Sequence, residues 1–399
     1  MTDSIWRRFL DQTVDSLLPE MVRVRRHLHM YPEVSGAEWQ TTEFLRRELA
    51  ELDCQIRVGP DGRGLIVDQN RQTAGPRVAL RADIDGLPIG DQKNVEYRSR
   101  INGVMHACGH DAHSAILYGT LRALHQLQQL KVMPASLCWR GIFQPAEESN
   151  EGALEMIQAG AVDEVSAVLS LHVDPSRPFG RIGVREGVFT AACDEINIRI
   201  QGRGGHAARP HESIDPVAAA AQLISSIYLF VPRSVDSQDP VVITFGQIQG
   251  GNSANAIPSQ VLVRGTLRTL GGSVREHAKR HIKQLASGLE QAAGTRIEIE
   301  FLPGPESVVN CVDLCRLIRQ AGHELLGPAN VDELTRPSMG GEDFAHYGSK
   351  SPICMFRLGC AGDGHPLHSP LFDIDERSLA LGAKLLCRAA ILWACQHCS

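Results

Sequence analysis

The sequence has no excess of basic residues: 40 Lys and Arg stand against 46 Asp and Glu, for a formal net charge of −6. Nucleic acid, whose binding needs a basic surface, is therefore not an expected partner. No apolar run approaches the roughly 18–20 residues that span a bilayer, and residues 1–18 lack the apolar core of a signal peptide. We therefore expect no membrane segment and a cytoplasmic location.

A disulfide framework is also missing. The eleven cysteines form an odd number without regular spacing, which fits reduced thiols in the cytosol better than disulfides. A CxxC pair, Cys395 and Cys398, stands near the C-terminus without the second CxxC that a zinc site would need. We assign this pair no metal or redox role. The sequence also has no internal repeat and no low-complexity segment.

Helical patterns alternate with short apolar runs typical of buried strands in the first part of the chain. The predicted helices are 14–31, 38–53, 112–130 and 151–160, and the predicted strands are 77–83, 136–144 and 166–173. This alternation predicts an α/β fold with a mainly parallel sheet and helices on both faces.

The pattern changes between residues 188 and 303. Its elements follow the order strand, helix, strand, strand, helix, strand, which is the β-α-β-β-α-β order of the ferredoxin-like sandwich. Patterns of the first kind then resume. We therefore predict one domain formed by residues 1–187 and 304–399, interrupted by an inserted α+β domain at 188–303, with Gly187 and Pro303 as hinges.

Four short segments, far apart in the chain, carry residues that bind hard or borderline metal ions: HACGHD at 106–111, PAEE at 145–148, LHV at 171–173 and LHSP at 367–370. Each follows a predicted strand or the next loop, and open α/β sheets bind ligands outside the carboxyl ends of their strands. Taken alone, Cys108 and His110 would more often be a coincidence, and a lone His172 or His368 a core histidine. With both of these histidines predicted at strand ends, the convergence of the segments favours one binuclear metal site.

A binuclear site needs about five or six protein ligands and a separate base. The predicted ligands are Cys108, His110, Glu148, His172 and His368. Glu147 is left as the general base, because adjacent carboxylates at a strand-to-loop junction can point apart, one toward a cation and one toward a water on it. The alternative for Glu147 is a solvated acid at the start of the next helix.

Asp83 and Asp85 follow a buried strand and alternate, so one of them can face the site and orient a ligand histidine by a hydrogen bond. We favour Asp85 for this role. The alternative for both is a turn-forming acid before Gly86. His106 and His113 are left out of the ligand set, since the first can be a loop residue and the second faces the following helix.

An ordered set of motifs covers nearly the whole chain: RADIDGLPI, HACGHDAH, FQPAEE, GRGGHAARPHESIDP, GGNSANAIP, SMGGEDF and LHSPLFDID. It resembles the metallopeptidase-related amidohydrolases that include aminoacylases, hippurate hydrolases and plant-type hydrolases of indoleacetyl-amino acid conjugates. The resemblance implies that the five ligands above bind two divalent ions per subunit, with Glu147 as general base. Peptidase relatives carry a histidine where Asp83 stands, so the resemblance implies a cysteine-ligand branch in which Cys108, and not Asp83, is the fifth ligand.

The resemblance also implies roles for the inserted domain. In relatives this domain forms the dimer contact, and a histidine of its GxGGHAAxP loop reaches the partner's active site. His206 matches that histidine and would stabilise the oxyanion of the tetrahedral intermediate, although taken alone it is an ordinary loop residue. Asn255 and Arg268 match positions that bind a substrate carboxylate, but Arg268 could equally be a surface charge of a strand. Gly340 and Gly341 would form a backbone wall of the substrate pocket.

These assignments predict a metal-dependent enzyme that cleaves the amide bond of small N-acyl amino acids, giving a carboxylic acid and a free amino acid. It would act as a homodimer through a lid-like inserted domain, with zinc or manganese and possible use of cobalt; cysteine ligation favours zinc. One alternative is a dipeptidase or carboxypeptidase of the same fold, for which a dipeptidase-type acid cluster is not evident. The alternative of another class is a catalytically inactive metal-binding protein, which the retention of Glu147 disfavours.

Overall fold

The computed structural model describes residues 2–69, 75–362 and 364–397, so Cys398 of the CxxC pair lies outside the described residues. The α-helices in these ranges are α1 (Thr2–Met30), α2 (Trp39–Glu48), α3 (His110–Gln129), α4 (Gly152–Gln158), α5 (Pro216–Phe230), α6 (Gly272–Ala293), α7 (Val312–Leu326) and α8 (Arg377–His397). The strands are β1 (Cys54–Val58), β2 (Leu65–Gln69), β3 (Arg77–Asp83), β4 (Cys138–Gln144), β5 (Val165–Asp174), β6 (Ile182–Val184), β7 (Gly187–Val188), β8 (Ala192–Gln201), β9 (Gly205–His206), β10 (Val241–Gln249), β11 (Ala256–Ile257), β12 (Gln260–Thr269), β13 (Arg296–Pro303), β14 (Val309–Asn310), β15 (Val331–Glu333) and β16 (Ile353–Gly359).

The chain forms two compact units. The first comprises Met1–Gly187, Val309–Arg336 and Asp343–Ser399, and the second comprises Val188–Val308 and Pro337–Glu342. The second unit thus begins at residue 188, continues to Val308 instead of residue 303, and takes in a further short segment from the later part of the chain.

The first unit is built on an eight-stranded sheet in the order β1-β2-β4-β3-β5-β16-β6-β15. The neighbours from β4 to β16 pair in parallel, as do β6 and β15, whereas the β1–β2, β2–β4 and β6–β16 pairs are antiparallel. Strands β3 and β4 are buried along their whole length, as continuous apolar strands of a parallel sheet are. The predicted α/β fold with a mainly parallel sheet is confirmed.

Helix α1 packs into the core through one apolar face. Its buried side chains recur every three or four residues, which is the helical period. They are Trp6, Leu10, Val14, Leu17, Met21, Val24 and Leu28. The helix begins at Thr2 and its buried stripe already starts at Trp6, so the predicted start at residue 14 is wrong. Arg25 and His29 lie at helical spacing beside the stripe and are also fully buried, although both are polar.

Strands β1 and β2 are not predicted by the sequence pattern. They form an antiparallel hairpin in which Cys54 lies opposite Gln69 and Val58 opposite Leu65. Each strand has only five residues, and the glycine-rich turn between them shortens the pattern available on either side. Pairing with β4 then fixes β2 in the sheet, which is a contact that local sequence does not encode.

Helix α8 is the one helix in the described ranges that is long and apolar enough to cross a membrane, with 89% of its apolar window buried inside the protein. Lys384 and Arg388 interrupt its apolar sequence. Its side chains, including Leu385 and Ile391, belong to the hydrophobic core of the first unit. Burial of this kind is typical of a central core helix.

The second unit contains a four-stranded antiparallel sheet in the order β10-β12-β8-β13. Helices α5 and α6 pack on it through a separate apolar core that includes Ile196, Ile198 and Ile200, alternate residues of β8. This is the strand order of the ferredoxin-like sandwich. Asp215 caps α5, since its carboxylate accepts hydrogen bonds from the backbone N–H groups of Val217 and Ala218.

Candidate metal centre

Cys108 and His110 stand on either side of Gly109, which makes the turn into α3. Gly109 has a φ of 84°, and a Cβ at this position would lie 2.4 Å from Cγ2 of Val173. Both the left-handed conformation and the close approach require glycine. The turn leaves Cys108 and His110 buried, with 7% and 1% of their surface exposed.

His172 lies near the C-terminal end of β5 and faces Cys108. Its Nε2 is 3.5 Å from Sγ of Cys108, and its Nδ1 is 2.7 Å from the carbonyl oxygen of Val173. Because a carbonyl oxygen only accepts, Nδ1 carries the proton and donates it to Val173. Nε2 therefore presents its lone pair toward the sulfur, which is the tautomer that a metal ligand needs.

Asp85 forms hydrogen bonds with both a histidine and a glutamate of the centre. Nδ1 of His110 is 2.9 Å from the carbonyl oxygen of Asp85 and 3.1 Å from its Oδ1. The other carboxylate oxygen accepts hydrogen bonds from the hydroxyl of Ser35 at 2.7 Å and the backbone N–H of Glu148 at 3.0 Å. Asp85 therefore lies where an orienting carboxylate has to lie, as its predicted role requires.

Glu147 and Glu148 follow β4 and converge on the same histidine. Their nearest carboxylate oxygens lie 3.9 and 4.0 Å from Nε2 of His110. Oε1 of Glu148 is also 3.5 Å from Nε2 of His368. The two carboxylates therefore both face the space beside His110, and the assignment of Glu148 as ligand and Glu147 as base stays a prediction. Glu147 is 7% exposed, so it is not a solvated acid at the start of α4.

His368 lies on the loop between β16 and α8, and not at a strand end as predicted. Strand β16 ends at Gly359, and the loop turns back so that the backbone N–H of His368 donates to the carbonyl oxygen of Ala107 at 2.8 Å. His368 has a φ of 64°, which is rare for a residue with a side chain. Its side chain is 53% exposed, in contrast to the buried Cys108 and His110.

Within the described ranges, donor atoms of the predicted ligands and base form overlapping groups whose atoms lie within 4.8 Å of one another. The groups are Cys108 with His110 and His172, Cys108 with Glu148 and His368, and His110 with Glu147 and Glu148. Nε2 of His110 and Oε1 of Glu148 are buried without a hydrogen-bond partner. Leaving such atoms unpaired is costly, so they are expected to bind something. The residues therefore fit a pair of divalent cations that share ligands.

The charges of the centre also suit cations. Burial raises the pKa of the Cys108 thiol to about 12, so a thiolate at this position needs a neighbouring cation. Burial and the nearby Arg357 hold the pKa of His172 well below its ordinary value, which keeps the imidazole neutral. Burial also lowers the pKa of His110, but the neighbouring Asp83 and Cys108 outweigh it and raise that pKa well above its ordinary value, so a cation that binds His110 has to displace a proton.

Asp83 forms a further close group with His110 and His113, but its oxygens already accept hydrogen bonds. Oδ1 accepts from Nδ1 of His113 at 2.6 Å, and Oδ2 accepts from Arg81 at 2.7 Å. Nε2 of His113 accepts from the backbone N–H of Val173 at 2.9 Å. Both ring nitrogens of His113 are thus engaged, which agrees with leaving Asp83 and His113 out of the ligand set.

The remaining predicted site residues lie in the second unit. His206 is exposed in β9, where it pairs with Ala256 next to Asn255. Nδ1 of His206 accepts from the backbone N–H of Ala208 at 3.1 Å, which leaves the proton on Nε2. Arg268 is half-buried in β12. It donates to the carbonyl oxygen of Met339 at 3.0 Å, so it is not simply a solvated surface charge.

Gly340 and Gly341 belong to the short segment that the second unit takes from the later part of the chain. The carbonyl oxygen of Gly340 accepts from the backbone N–H of Ala191 at 3.1 Å. A Cβ at Gly341 would lie 3.2 Å from Cβ of Cys193, a tight contact within the unit. The close contact at Gly341 is thus with another residue of the protein, Cys193. The role of Gly340 and Gly341 in a substrate pocket stays a prediction.

Sequence reasoning missed a buried polar group beside the ligand loops. Arg25 and His29 of α1 both contact Oδ2 of Asp111, the residue after His110, at 2.8 Å. His106 is also buried, and neither of its ring nitrogens has a hydrogen-bond partner among the described residues. The available signal is the segment RVRRHLHM, where polar residues four apart fall beside the apolar stripe of α1.

Sulfur, imidazole and carboxylate donors around one space, with a second carboxylate beside them, define a metal-dependent hydrolase. The chain belongs to peptidase family M20/M25/M40, whose profile matches residues 79–391. The predicted amidohydrolase resemblance is confirmed, and the protein is a metal-dependent hydrolase of amide bonds. This outcome removes the alternative of a catalytically inactive metal-binding protein.

Three known proteins illustrate the similarity. An N-acetyl-L-cysteine deacetylase of Bacillus subtilis is 36% identical, covering 94% of this chain and 89% of the relative. Thermostable carboxypeptidase 1 of Saccharolobus solfataricus is 34% identical, covering 91% of this chain and 92% of the relative. The solved structure of a dinuclear metal-binding peptidase of family M20 from Bacillus subtilis is 33% identical, with a TM-score of 0.81 over 95% of this chain and 99% of that one.

Proposed function

We propose that the enzyme removes the acyl group from small N-acyl amino acids, giving a carboxylic acid and a free amino acid. The observation that carries this proposal is Glu147, a buried carboxylate that lies beside the predicted ligands and is not needed as one of them. The 36% identity to an N-acetyl-L-cysteine deacetylase supports an acylated amino acid as the substrate class.

Two divalent ions would be held by Cys108, His110, Glu148, His172 and His368. When bound, such ions polarise the scissile carbonyl and make water more acidic. A sulfur donor among imidazole and carboxylate donors favours zinc, while manganese and cobalt also suit this mixture. Asp85 would fix the side chain of His110 in position relative to the backbone of Glu148.

Glu147 would transfer the proton of the reaction. Its carboxylate accepts a proton from the attacking water and then donates it to the nitrogen of the leaving amino acid. The burial of Glu147 favours this role, because few bulk water molecules compete for the carboxylate at 7% exposure. One group thus acts first as base and then as acid, and ends the cycle in its starting state.

The second unit would contribute recognition and oxyanion stabilisation. The Nε2–H of His206 is available as a donor, as stabilisation of a tetrahedral oxyanion requires. Asn255 is a neighbour of His206 across the β9–β11 pair, and with Arg268 it would bind the carboxylate of the substrate. Gly340 and Gly341 would form a wall of the pocket, and closure of this unit as a lid would exclude water.

A homodimer through the second unit is part of this proposal. Strand β10 is an edge of the four-stranded sheet, and it is joined to α5 by the hydrogen bond from the backbone N–H of Phe245 to the hydroxyl of Tyr228. Large apolar side chains are between 38% and 60% exposed here: Val242 and Ile248 on β10, and Tyr228, Leu229 and Phe230 at the end of α5. Exposed apolar residues along an open strand edge favour pairing with a second chain.

We also place the enzyme in the cytoplasm. The ten cysteines within the described ranges are all free thiols, as expected of a protein from a reducing compartment. Small N-acyl amino acids are soluble, so the proposed reaction needs neither a membrane nor a nucleic-acid partner.

The proposal is tested with purified protein from which metal has been removed and to which zinc, manganese or cobalt is returned. N-acetyl, N-benzoyl and indoleacetyl amino acids are compared with dipeptides at equal concentrations, and the released amino acid is quantified. We expect metal-dependent release from N-acyl amino acids with a higher kcat/KM than from dipeptides. Hydrolysis of dipeptides alone would refute the proposed substrate class.

Carboxypeptidase activity is the second candidate function. It is favoured by the 34% identity to a thermostable carboxypeptidase over almost the whole chain. Longer peptides with free and with blocked N-termini separate the two candidates. A carboxypeptidase releases the last residue of both, whereas an enzyme for small N-acyl amino acids prefers a single acylated residue.

A further inference from the structure

Arg25 of α1 connects the start of α3, which carries His110, with the loop that carries His368. Its side chain is fully buried, and its Nε donates to Oδ2 of Asp111 at 2.8 Å. Its Nη2 donates to Oδ1 of Asp373 at 2.5 Å, and its Nη1 donates to Glu376 at 3.2 Å. One guanidinium therefore bridges the first turn of α3 and the loop before α8. A planar fork with five donors can do this, whereas a lysine cannot.

Each end of this bridge lies close in sequence to a predicted ligand. Asp111 directly follows His110, and Asp373 is on the same loop as His368. Asp373 is also held by the hydroxyl of Tyr97, which donates to its Oδ2 at 2.7 Å. Both oxygens of the Asp373 carboxylate thus accept hydrogen bonds from buried or half-buried donors. The loop is fastened to α1 at this point, and its described residues between β16 and α8 form no strand or helix of their own.

His368 depends on such fastening more than the other ligands do. Its side chain is 53% exposed and its φ is 64°, so neither burial nor a regular element holds it in place. A residue with a side chain keeps this conformation only when the surrounding structure enforces it. In contrast, His110 is held by Asp85 and His172 by a backbone carbonyl within β5.

We propose that Arg25 is a positioning residue that holds the His368 loop against the start of α3. It thereby sets the affinity of the metal group formed by Cys108, Glu148 and His368. This inference rests on the metal centre of the proposed function. It gives a residue of α1 a role in metal binding, although α1 supplies neither a predicted ligand nor the catalytic base. The group formed by Cys108, His110 and His172 does not need Arg25, because its histidines have other anchors.

The test is zinc binding by the full-length metal-free protein, followed by competition with a chromophoric chelator. In the wild-type protein two binding steps are expected, and His368→Ala identifies which step belongs to the His368 group. Arg25→Lys keeps the positive charge but loses the fork. We expect it to weaken the same step about 10–100-fold, as loss of an outer-shell partner does, and to leave the other step close to wild type.

Arg388→Lys is the matched control. Arg388 is also a buried arginine of the first unit, with 3% of its side chain exposed, and it pairs with Asp11 of α1, away from the ligand loops. We expect it to lower thermal stability without changing either zinc step. Equal zinc binding in Arg25→Lys and wild type would overturn the proposal, and so would an equal loss in Arg25→Lys and Arg388→Lys.

Asp373→Asn provides a second test of the same contact if the Arg25→Lys protein does not fold. It retains the size of the side chain but weakens the contact with Arg25, so the His368 step should again weaken selectively. Unchanged zinc binding in folded Asp373→Asn would refute the role of this contact. Zinc binding needs no substrate, so a wild-type protein that hydrolyses none of the tested amides would refute the proposed function and leave this inference standing.

Discussion

Glu147 and Glu148 are neighbours in sequence but have different contacts. Oε1 of Glu148 is buried without a hydrogen-bond partner and lies 3.5 Å from Nε2 of His368, as its proposed role as a metal ligand requires. The nearest carboxylate oxygen of Glu147 lies 3.9 Å from Nε2 of His110, and its proposed role is to exchange a proton with the attacking water. Glu147→Gln should therefore retain both metal ions while kcat falls by about 10²–10⁴-fold, because an amide cannot accept the proton of water. Elemental analysis and kcat on the same preparation check this.

Glu148→Gln is the matched comparison, since it makes the same chemical change at the adjacent position. This variant should lose metal as well as turnover. The assignment of base and ligand would be contradicted if Glu147→Gln kept wild-type kcat, or if the two variants lost the same amount of metal.

Cys108 is the sulfur donor common to two of the close groups, so its replacement should affect both ions. Cys108→Ser substitutes a weaker ligand of similar size. We expect metal affinity to fall by more than the roughly 10–100-fold typical of a residue that only supports a ligand. Cys138→Ser is the control, because Cys138 has the same 7% exposure and belongs to none of these groups. A Cys108→Ser protein that keeps two tightly bound ions would remove Cys108 from the ligand set.

At the scale of elements, the buried strands could be predicted and the loop that carries His368 could not. The apolar run predicted at 77–83 coincides with β3, and that at 166–173 lies within β5, because fully buried strands are continuous apolar segments. The position of His172 follows from its strand. His368 follows no strand: its place depends on the contact with Ala107 and on Arg25, residues that are far away in sequence.

Buried charged residues are a second feature that the sequence pattern does not predict. Periodicity assigns polar residues to solvent, so it does not predict that Arg25 and His29 of α1 are buried in the core. Their burial is possible because Asp111 accepts from both, and Asp111 belongs to a segment more than eighty positions later in the chain. Local sequence contains the charges but not their pairing.

The turn from Gly109 into α3 can be tested through its geometry. Gly109→Ala should cost about 1–2 kcal/mol of the free energy of unfolding for the left-handed φ. It should cost about 1–3 kcal/mol more for the overlap with Val173. Gly36→Ala provides the control, since Gly36 has the same φ of 84° and no atom within 4 Å of its added Cβ. Chemical denaturation of the metal-free variants measures both changes.

The comparison of these two alanine variants also addresses the site. Only Gly109→Ala should weaken zinc binding, because the overlap displaces Cys108 and His110 together. Equal stability losses in the two variants would show that the overlap relaxes freely, and unchanged zinc affinity in Gly109→Ala would mean that the turn does not position the ligands.

At the scale of the whole molecule, the family resemblance implies that His206 of one chain acts in the active site of its partner, and this can be tested. Glu147→Gln and His206→Ala homodimers should each be nearly inactive. After subunit exchange, each mixed dimer has one site with Glu147 from one chain and His206 from its partner, so random exchange should restore about a quarter of wild-type activity. Activity is measured before and after exchange, with tagged subunits to quantify the mixed dimers. Mixed dimers without recovered activity would show that His206 does not act across the interface.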